Sequence, residues 1–196
     1  MEPIILASSS PRRQEILRML NIPFRVIMAN IDESITMGLE PEDIPELLAR
    51  EKVTEVLRTL PAEQEIPWVL GADTLIVKDG KVYGKPENQD VAETYLKELQ
   101  GSKHTVYTAL VLYNGKTKTT TSKTAKTEVT FAPMTDEEIQ WYVDTGEWHG
   151  AAGGYRIQSL ASMSIKHING SYSGAIGLPI SELYDILKEQ GYKILE

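Results

Sequence analysis

Apolar residues recur along this chain in two rhythms, and the changes from one to the other mark its predicted elements. Ile4-Ile5-Leu6-Ala7 is an unbroken apolar run that reads as a short buried strand. It gives way to Ser8-Ser9-Ser10 and to Pro11, a residue suited to the first position of a helix. Ile16, Leu17 and Leu20 then recur at helical spacing, which predicts a helix packed on a sheet, with Arg12 and Arg13 in its first turn and pointing away from the core. A second helical pattern runs from Pro41 to Leu60 through Ile44, Leu47, Leu48, Ala49, Val53, Val56, Leu57 and Leu60. Trp68 to Val77 is an apolar strand broken at its middle by Asp73-Thr74. Asp79-Gly80 signals a hairpin that returns through Val82 to Pro86 and brings Lys85 back near the level of Asp73.

Beyond it, Asp90 to Gln100 reads as a helix with Asp90 as N-cap, Glu93 in the capping-box position, Ala92, Tyr95, Leu96 and Leu99 as the buried face, and Gly101 as the stop. His104 to Tyr113 and Lys116 to Phe131 read as two strands joined by a two-residue turn at Asn114-Gly115, the second exposed or at an edge. Thr135 and Glu138 form a capping box for a helix that ends near Gly146. Gly150 to Tyr155 is too glycine-rich for regular structure; it is either a connecting loop or a close backbone approach to a ligand. A short strand around Ile165 to Ile168, a glycine-rich turn, and a helix after Pro179 with Ile180, Leu183, Tyr184 and Leu187 on its buried face complete the pattern.

Composition narrows the classes. With 196 residues the chain has room for one substantial core, in one or two closely packed lobes. No apolar run is long enough to span a bilayer, and no basic region precedes the first apolar run, so a cytoplasmic protein without a membrane partner is expected. Cys is absent, which excludes disulfides, thiolate nucleophiles and Cys-ligated metals. A formal net charge of -8 argues against a nucleic-acid partner, whose binding relies on many Lys and Arg contacts to phosphate; the Lys-rich stretch from Lys116 to Lys126 is the sole feature in its favour. A small anion held by a local cationic pocket remains compatible.

Several positions break the expected pattern in a chemically informative way. Arg12 and Arg13 at a helix start call for an anion, unless Ser10 merely caps the helix and Glu15 neutralises Arg12. Lys52 lies on the apolar face of its helix and must either extend outward to water or meet an anion. Asp73 within an apolar strand needs a partner, a proton or a metal, and with Gly71 allowing close approach it is the best single candidate for a metal ligand or proton acceptor. Glu33, in a polar loop, offers a second carboxylate. Cations that hold phosphates beside carboxylates that hold magnesium or manganese and orient water are the mixture phosphoryl chemistry uses. No Walker-type loop is present, and His104, His149 and His167 show no metal-ligand or triad spacing.

Taken together, Leu6-Ala7-Ser8-Ser9-Ser10-Pro11-Arg12-Arg13, Asp32-Glu33, Arg50-Glu51-Lys52, Gly71-Ala72-Asp73-Thr74, Gly84-Lys85-Pro86, Tyr155-Arg156-Ile157-Gln158, Asn169-Gly170-Ser171-Tyr172 and Gly177-Leu178-Pro179 closely resemble the Maf family of nucleoside triphosphate pyrophosphatases. The resemblance covers nearly the whole chain in order and implies a single domain over residues 1–196. It implies an α/β fold, an elongated mixed sheet flanked by helices like that of inosine triphosphate pyrophosphatases, with two lobes around a central cleft. The implied reaction is metal-dependent hydrolysis of a nucleoside triphosphate to the monophosphate and pyrophosphate. It assigns proton acceptance to Asp73, catalytic or phosphate-site roles to Ser8, Arg13, Glu33, Lys52 and Lys85, with Ser10 in the same phosphate-gripping turn, and metal binding to Glu33 and Asp73. Arg12, Thr74 and Gln158 match positions linked to base selectivity, in the branch acting on dTTP and UTP. The family is also associated with inhibition of septum formation, which leaves a nucleotide-binding regulator with little hydrolysis as the alternative, and it is compatible with a homodimer. At Ser159 the chain departs from a position where the family commonly has glycine.

Overall fold

The computed structural model describes residues 1–32, 36, 38–61 and 68–194. Seven strands form one mixed sheet: β1 (Ile4–Leu6), β2 (Phe24–Val26), β3 (Trp68–Lys78), β4 (Lys81–Tyr83), β5 (Lys103–Asn114), β6 (Thr119–Phe131) and β7 (Ile165–Asn169). Their order is β2-β1-β3-β5-β6-β7, with β4 also paired to β3. β1 runs parallel to β2 and β3, and every other pairing is antiparallel. The helices are α1 (Pro11–Met19), α2 (Ile44–Thr59), α3 (Gln89–Leu99), α4 (Asp136–Asp144), α5 (Tyr172–Ile176) and α6 (Ile180–Glu189).

Strand alternation sorts the central residues between two layers. Ile4, Leu6, Leu70, Leu110 and Leu112 pack with Leu17 of α1 and Leu183, Ile186 and Leu187 of α6. Their neighbours Ile5, Val69, Ala109 and Val111 point the other way, onto Ala49, Val53 and Val56 of α2. Both faces are covered, so these strands read as continuous apolar runs without alternation. A third cluster, with Leu96 of α3, Val106, Phe131, Ile139 and Tyr142, fills the far end of the sheet.

Close approach of α2 to β3 depends on Gly71: a Cβ there would lie 2.3 Å from the Ala49 carbonyl oxygen and 2.7 Å from a Val53 methyl. The close approach expected at Gly71 is therefore made by a helix of the chain itself.

Several local expectations are corrected. The N-cap of α3 is Asn88, whose side chain accepts from Val91 N–H at 3.0 Å, and Asp90 sits inside the first turn. Asn114 pairs with Thr119 across a longer turn, because the Asn114 side-chain oxygen accepts from Lys116 N–H at 3.0 Å and Lys118 takes a positive φ of 56°. On α6 the buried face includes Ile186, while Tyr184 is exposed. β2 and α5 have no counterpart in the predicted pattern; at three and five residues they are too short to establish a rhythm. The capping box at Thr135 and Glu138 is present as expected. Among the described residues no helix is long and apolar enough to cross a membrane.

Candidate functional site

β1 pairs with β3 as far as Leu70, and β4 takes up pairing at Ile76. On that side Gly71 to Leu75 have no strand partner among the described residues, and a cleft of about 760 Å³ opens there. Its position, beyond the carboxyl end of β1, is where ligands enter open α/β sheets. Ser8, Ser10, Arg12, Arg13, Lys52, Asp73, Thr74, Lys85 and Gln158 all line it. Glu33 lies outside the described residues.

Successive residues of β3 present Asp73 and Thr74 to opposite faces of the sheet. Asp73 faces α2 and pairs with Lys52 through its Oδ1; both side chains are largely shielded, at 13% and 15% exposure. The lysine on the apolar face of α2 thus meets an anion from within the protein. Thr74 faces α1 and accepts a hydrogen bond from Arg13 Nη2 at 3.2 Å.

Arg13 departs from the expected outward position. It is 8% exposed and lies on the buried face of α1 with Ile16 and Leu17. Its Nε donates to the Gly177 carbonyl at 2.8 Å and its Nη1 to Ser8 Oγ at 2.9 Å. Burial lowers its pKa, with the charge of Asp73 opposing that shift and Arg12 adding to it. Such a buried cation persists because each edge of its planar fork meets an oxygen.

The hydroxyls around Arg13 have a defined proton order. Ser8 Oγ accepts from Arg13 Nη1 and from Ser10 N–H at 3.3 Å, which occupies both lone pairs and leaves its own hydrogen to donate. Thr108 Oγ1 has one hydrogen and lies 2.8 Å from the Gly174 carbonyl, an acceptor only. Thr108 Oγ1 is also the donor in its 3.0 Å contact with Thr74 Oγ1, so its hydrogen lies between two acceptors. Thr74 Oγ1 thus accepts from both Arg13 and Thr108, which leaves its own hydrogen to donate.

Ser10 makes no side-chain cap on α1, so the simple capping explanation of this segment does not hold. Arg12 donates through Nη2 to the Gly150 carbonyl at 3.1 Å, and its pKa is lowered by burial first and by the charge of Arg156 second, with Glu15 opposing. Lys85 emerges from β4 as an exposed side chain after Gly84, whose carbonyl accepts from Gly153 N–H at 2.9 Å. Gly153, at a φ of 67°, leaves no room for a Cβ beside Ile76, so part of the glycine-rich loop serves packing, while Gly150 to Ala152 line the cleft. Gln158 is exposed at the rim, and Ser159 beside it has a φ of -119°, open to any residue, so serine at this position carries no backbone strain.

Arg156, Thr108, Asn30 and Met28 were not singled out by sequence reasoning. Arg156, Asn30 and Met28 line the cleft, and Thr108 orders the hydroxyls beneath it. Only Arg156 carried a signal, its place beside Gln158. The histidines are structural or peripheral: His104 is buried against Tyr155, His149 stacks on Trp148, and His167 is exposed on β7. Among the described residues no group of three His, Asp or Glu side chains is arranged to hold a metal ion. Among the described residues Asp73 engages only Oδ1, which leaves its second oxygen to accept a proton or meet a cation.

A family model described as Maf-like protein matches residues 3–190. The chain is 41% identical over 195 residues to the dTTP/UTP pyrophosphatase of Pelotomaculum thermopropionicum, covering 100% of both chains. It is 42% identical over 195 residues to the dTTP/UTP pyrophosphatase of Desulforamulus reducens, again covering 100% of both. Among solved structures, that of the Staphylococcus aureus Ham1 protein is similar over 67% of this chain and 72% of that one, at 12% identity and a TM-score of 0.46. With a family match spanning nearly every element and relatives aligned from end to end, the chain belongs to the Maf family.

Proposed function

We propose that the protein hydrolyses dTTP and UTP to the monophosphate and pyrophosphate in the cleft beside β3. The observation that carries this is the meeting of the Lys52–Asp73 pair with the Ser8–Arg13 unit in one cleft, with Lys85 and Arg12 at its edges. Relatives named dTTP/UTP pyrophosphatase, aligned over the full chain, supply the substrate class.

Lys52, Lys85 and the free hydrogen of Ser8 hold the phosphate oxygens, while Arg13 keeps Ser8 in place. Asp73, oriented through one oxygen by Lys52, takes a proton from water with the other. The water oxygen forms a bond to the alpha phosphorus as the bond from that phosphorus to the bridging oxygen breaks, and the electron pair departs with pyrophosphate. The cations offset the negative charge that develops on the phosphoryl oxygens and the leaving group. A magnesium or manganese ion held by Glu33, with Asp73 left to accept the proton, would supply additional charge neutralisation.

Thr74 sharpens the base preference. Its remaining hydrogen suits a carbonyl oxygen of uracil or thymine; cytosine presents an amino group in place of the 4-carbonyl. Gln158, exposed at the rim, offers an amide for the adjoining imide edge.

Pyrophosphate release from a panel of canonical and modified nucleoside triphosphates, with magnesium or manganese, tests the proposal beside Asp73→Asn. Selective release from dTTP and UTP, lost in the variant, is the expected result. Nucleotide-induced stabilisation without any pyrophosphate release would point to the regulator instead.

A further inference from the structure

Arg12 and Arg156 come from different segments at the cleft rim, the start of α1 and the stretch after the glycine-rich loop, yet they grip consecutive carbonyls. Arg12 Nη2 donates to the Gly150 carbonyl at 3.1 Å and Arg156 Nη2 to the His149 carbonyl at 3.0 Å. A carbonyl carries no net charge, so two guanidiniums are drawn together without neutralisation. Burial first, and the charge of Arg156 second, lower the pKa of Arg12. Glu15 acts on Arg12 only beyond ion-pair distance, and Glu147 near Arg156 is engaged by the backbone N–H of Leu160 at 3.2 Å. No described carboxylate lies within ion-pair distance of either arginine, and Arg156 Nε is buried with no hydrogen-bond partner among the described residues.

Elsewhere in the cleft the same problem is solved internally: Lys52 has Asp73, and Arg13 has three oxygen acceptors. The rim pair has donors to spare and a net charge of two to offset. The backbone N–H of Arg156 donates to Tyr142 Oη at 3.2 Å, which anchors the segment that carries the side chain. Both side chains border the 760 Å³ cleft, so a ligand there can reach them.

We infer that Arg12 and Arg156 form an oxyanion subsite at the cleft rim, completed by an anionic group of the bound nucleotide. That group is either a phosphate remote from the reacting phosphorus or an acidic substituent on the pyrimidine; the identity of the ligand rests on the proposed nucleotide function. An oxyanion between the two guanidiniums gains charge-assisted hydrogen bonds from both and removes their repulsion. A neutral ligand cannot do the latter.

Binding affinities separate these sources without relying on turnover. Inorganic tripolyphosphate probes the phosphate end, and 5-carboxy-UMP compared with UMP probes the base. Arg156→Gln is expected to weaken one of these probes about tenfold, with Arg156→Lys recovering part of the loss because it retains the charge without the fork. Loss confined to tripolyphosphate assigns the subsite to the phosphate end; loss confined to the extra affinity of 5-carboxy-UMP over UMP assigns it to the base. Affinities for both probes within twofold of wild type in Arg156→Gln would overturn the inference. Melting temperatures without ligand identify a folding defect, in which case Arg156→Lys alone, tested against both probes, decides: affinities for both equal to wild type also overturn it. Should UTP turnover prove absent while tripolyphosphate binding still depends on Arg156, the subsite stands and the hydrolytic proposal falls.

Discussion

Arg13 and His104 are both buried bases, and the protein treats their charges in opposite ways. Arg13, beneath the cleft, keeps its charge because Ser8, Thr74 and the Gly177 carbonyl meet its three edges. His104, at the far end of the sheet, bonds Tyr155 Oη through Nε2 at 2.7 Å, and its Nδ1 has no partner among the described residues. Packed edge-on against Phe131 and Tyr155, it has its pKa pushed down to about 4 by burial, with Lys78 adding a smaller effect. The lesson is that burial alone does not set the charge of a base. Where oxygens surround it the ion is retained, as a site for anionic ligands requires; where aromatic rings surround it the neutral form is retained.

The hardest blow to the cleft side of this comparison is Asp73→Asn. Loss of the proposed proton acceptor is expected to cut pyrophosphate release by about 10²- to 10⁴-fold while the fold survives. Near-normal turnover would remove Asp73 from that role. Arg13→Lys keeps the charge but not the fork, so at least two of the three hydrogen bonds go. A loss on the order of 3 kcal/mol, or roughly 10 °C in melting temperature, is expected, since hydrogen bonds from charged groups contribute about 1.5 to 3 kcal/mol each. An unchanged melting temperature would show that the charge, and not its geometry, is what the floor needs.

His104 offers a contrasting test in pH. Its folded pKa lies below the ordinary value of 6.5, so the unfolded chain binds more protons between about pH 6.5 and pH 4. Stability from this residue is therefore full above pH 6.5 and declines as pH falls to 4, by at most on the order of 3 kcal/mol. His104→Gln retains a polar group without a proton to gain, so the stability difference between it and the wild type should shift across this window. A difference constant from pH 7 to pH 4 refutes the neutral burial of His104.

The smallest effect belongs to α4. Thr135→Ala removes a cap in which Thr135 Oγ1 accepts from Glu138 N–H at 3.2 Å and Glu138 Oε2 accepts from Thr135 N–H at 2.7 Å. About 1 kcal/mol of stability, or a few degrees in melting temperature, should be lost with pyrophosphate release unchanged. A fall in turnover here would mean that the far end of the sheet is coupled to the cleft.

What sequence could and could not foretell follows the same division. The capping box was legible because both of its hydrogen bonds span three residues, and the long strands were legible because covering both faces leaves an apolar run. Lys52 and Asp73 were recognisable as anomalies, each a charge in an apolar pattern, although nothing in the pattern said that they answer each other. Arg13 was misjudged because its partners Thr74 and Gly177 lie 61 and 164 residues away. Arg156 went unremarked because its significance depends on Arg12, which meets the same loop from the start of α1. The Asn114 turn failed for a smaller reason: a side-chain oxygen that collects two backbone donors lengthens a turn whose residues favour a shorter one.

The contact at Gly71 binds the history of the scaffold to that of the chemistry. Gly71 and Asp73 share one face of β3, while Ala49 and Lys52 occupy neighbouring positions on α2, so backbone contact and ion pair are two adjacent rungs between the same two elements. Anything that wedges the first rung apart also unhooks the second. A lineage that acquired a side chain at position 71 would thus inherit a misplaced lysine with its weakened core, and a compensating change that reseated the helix would return both together.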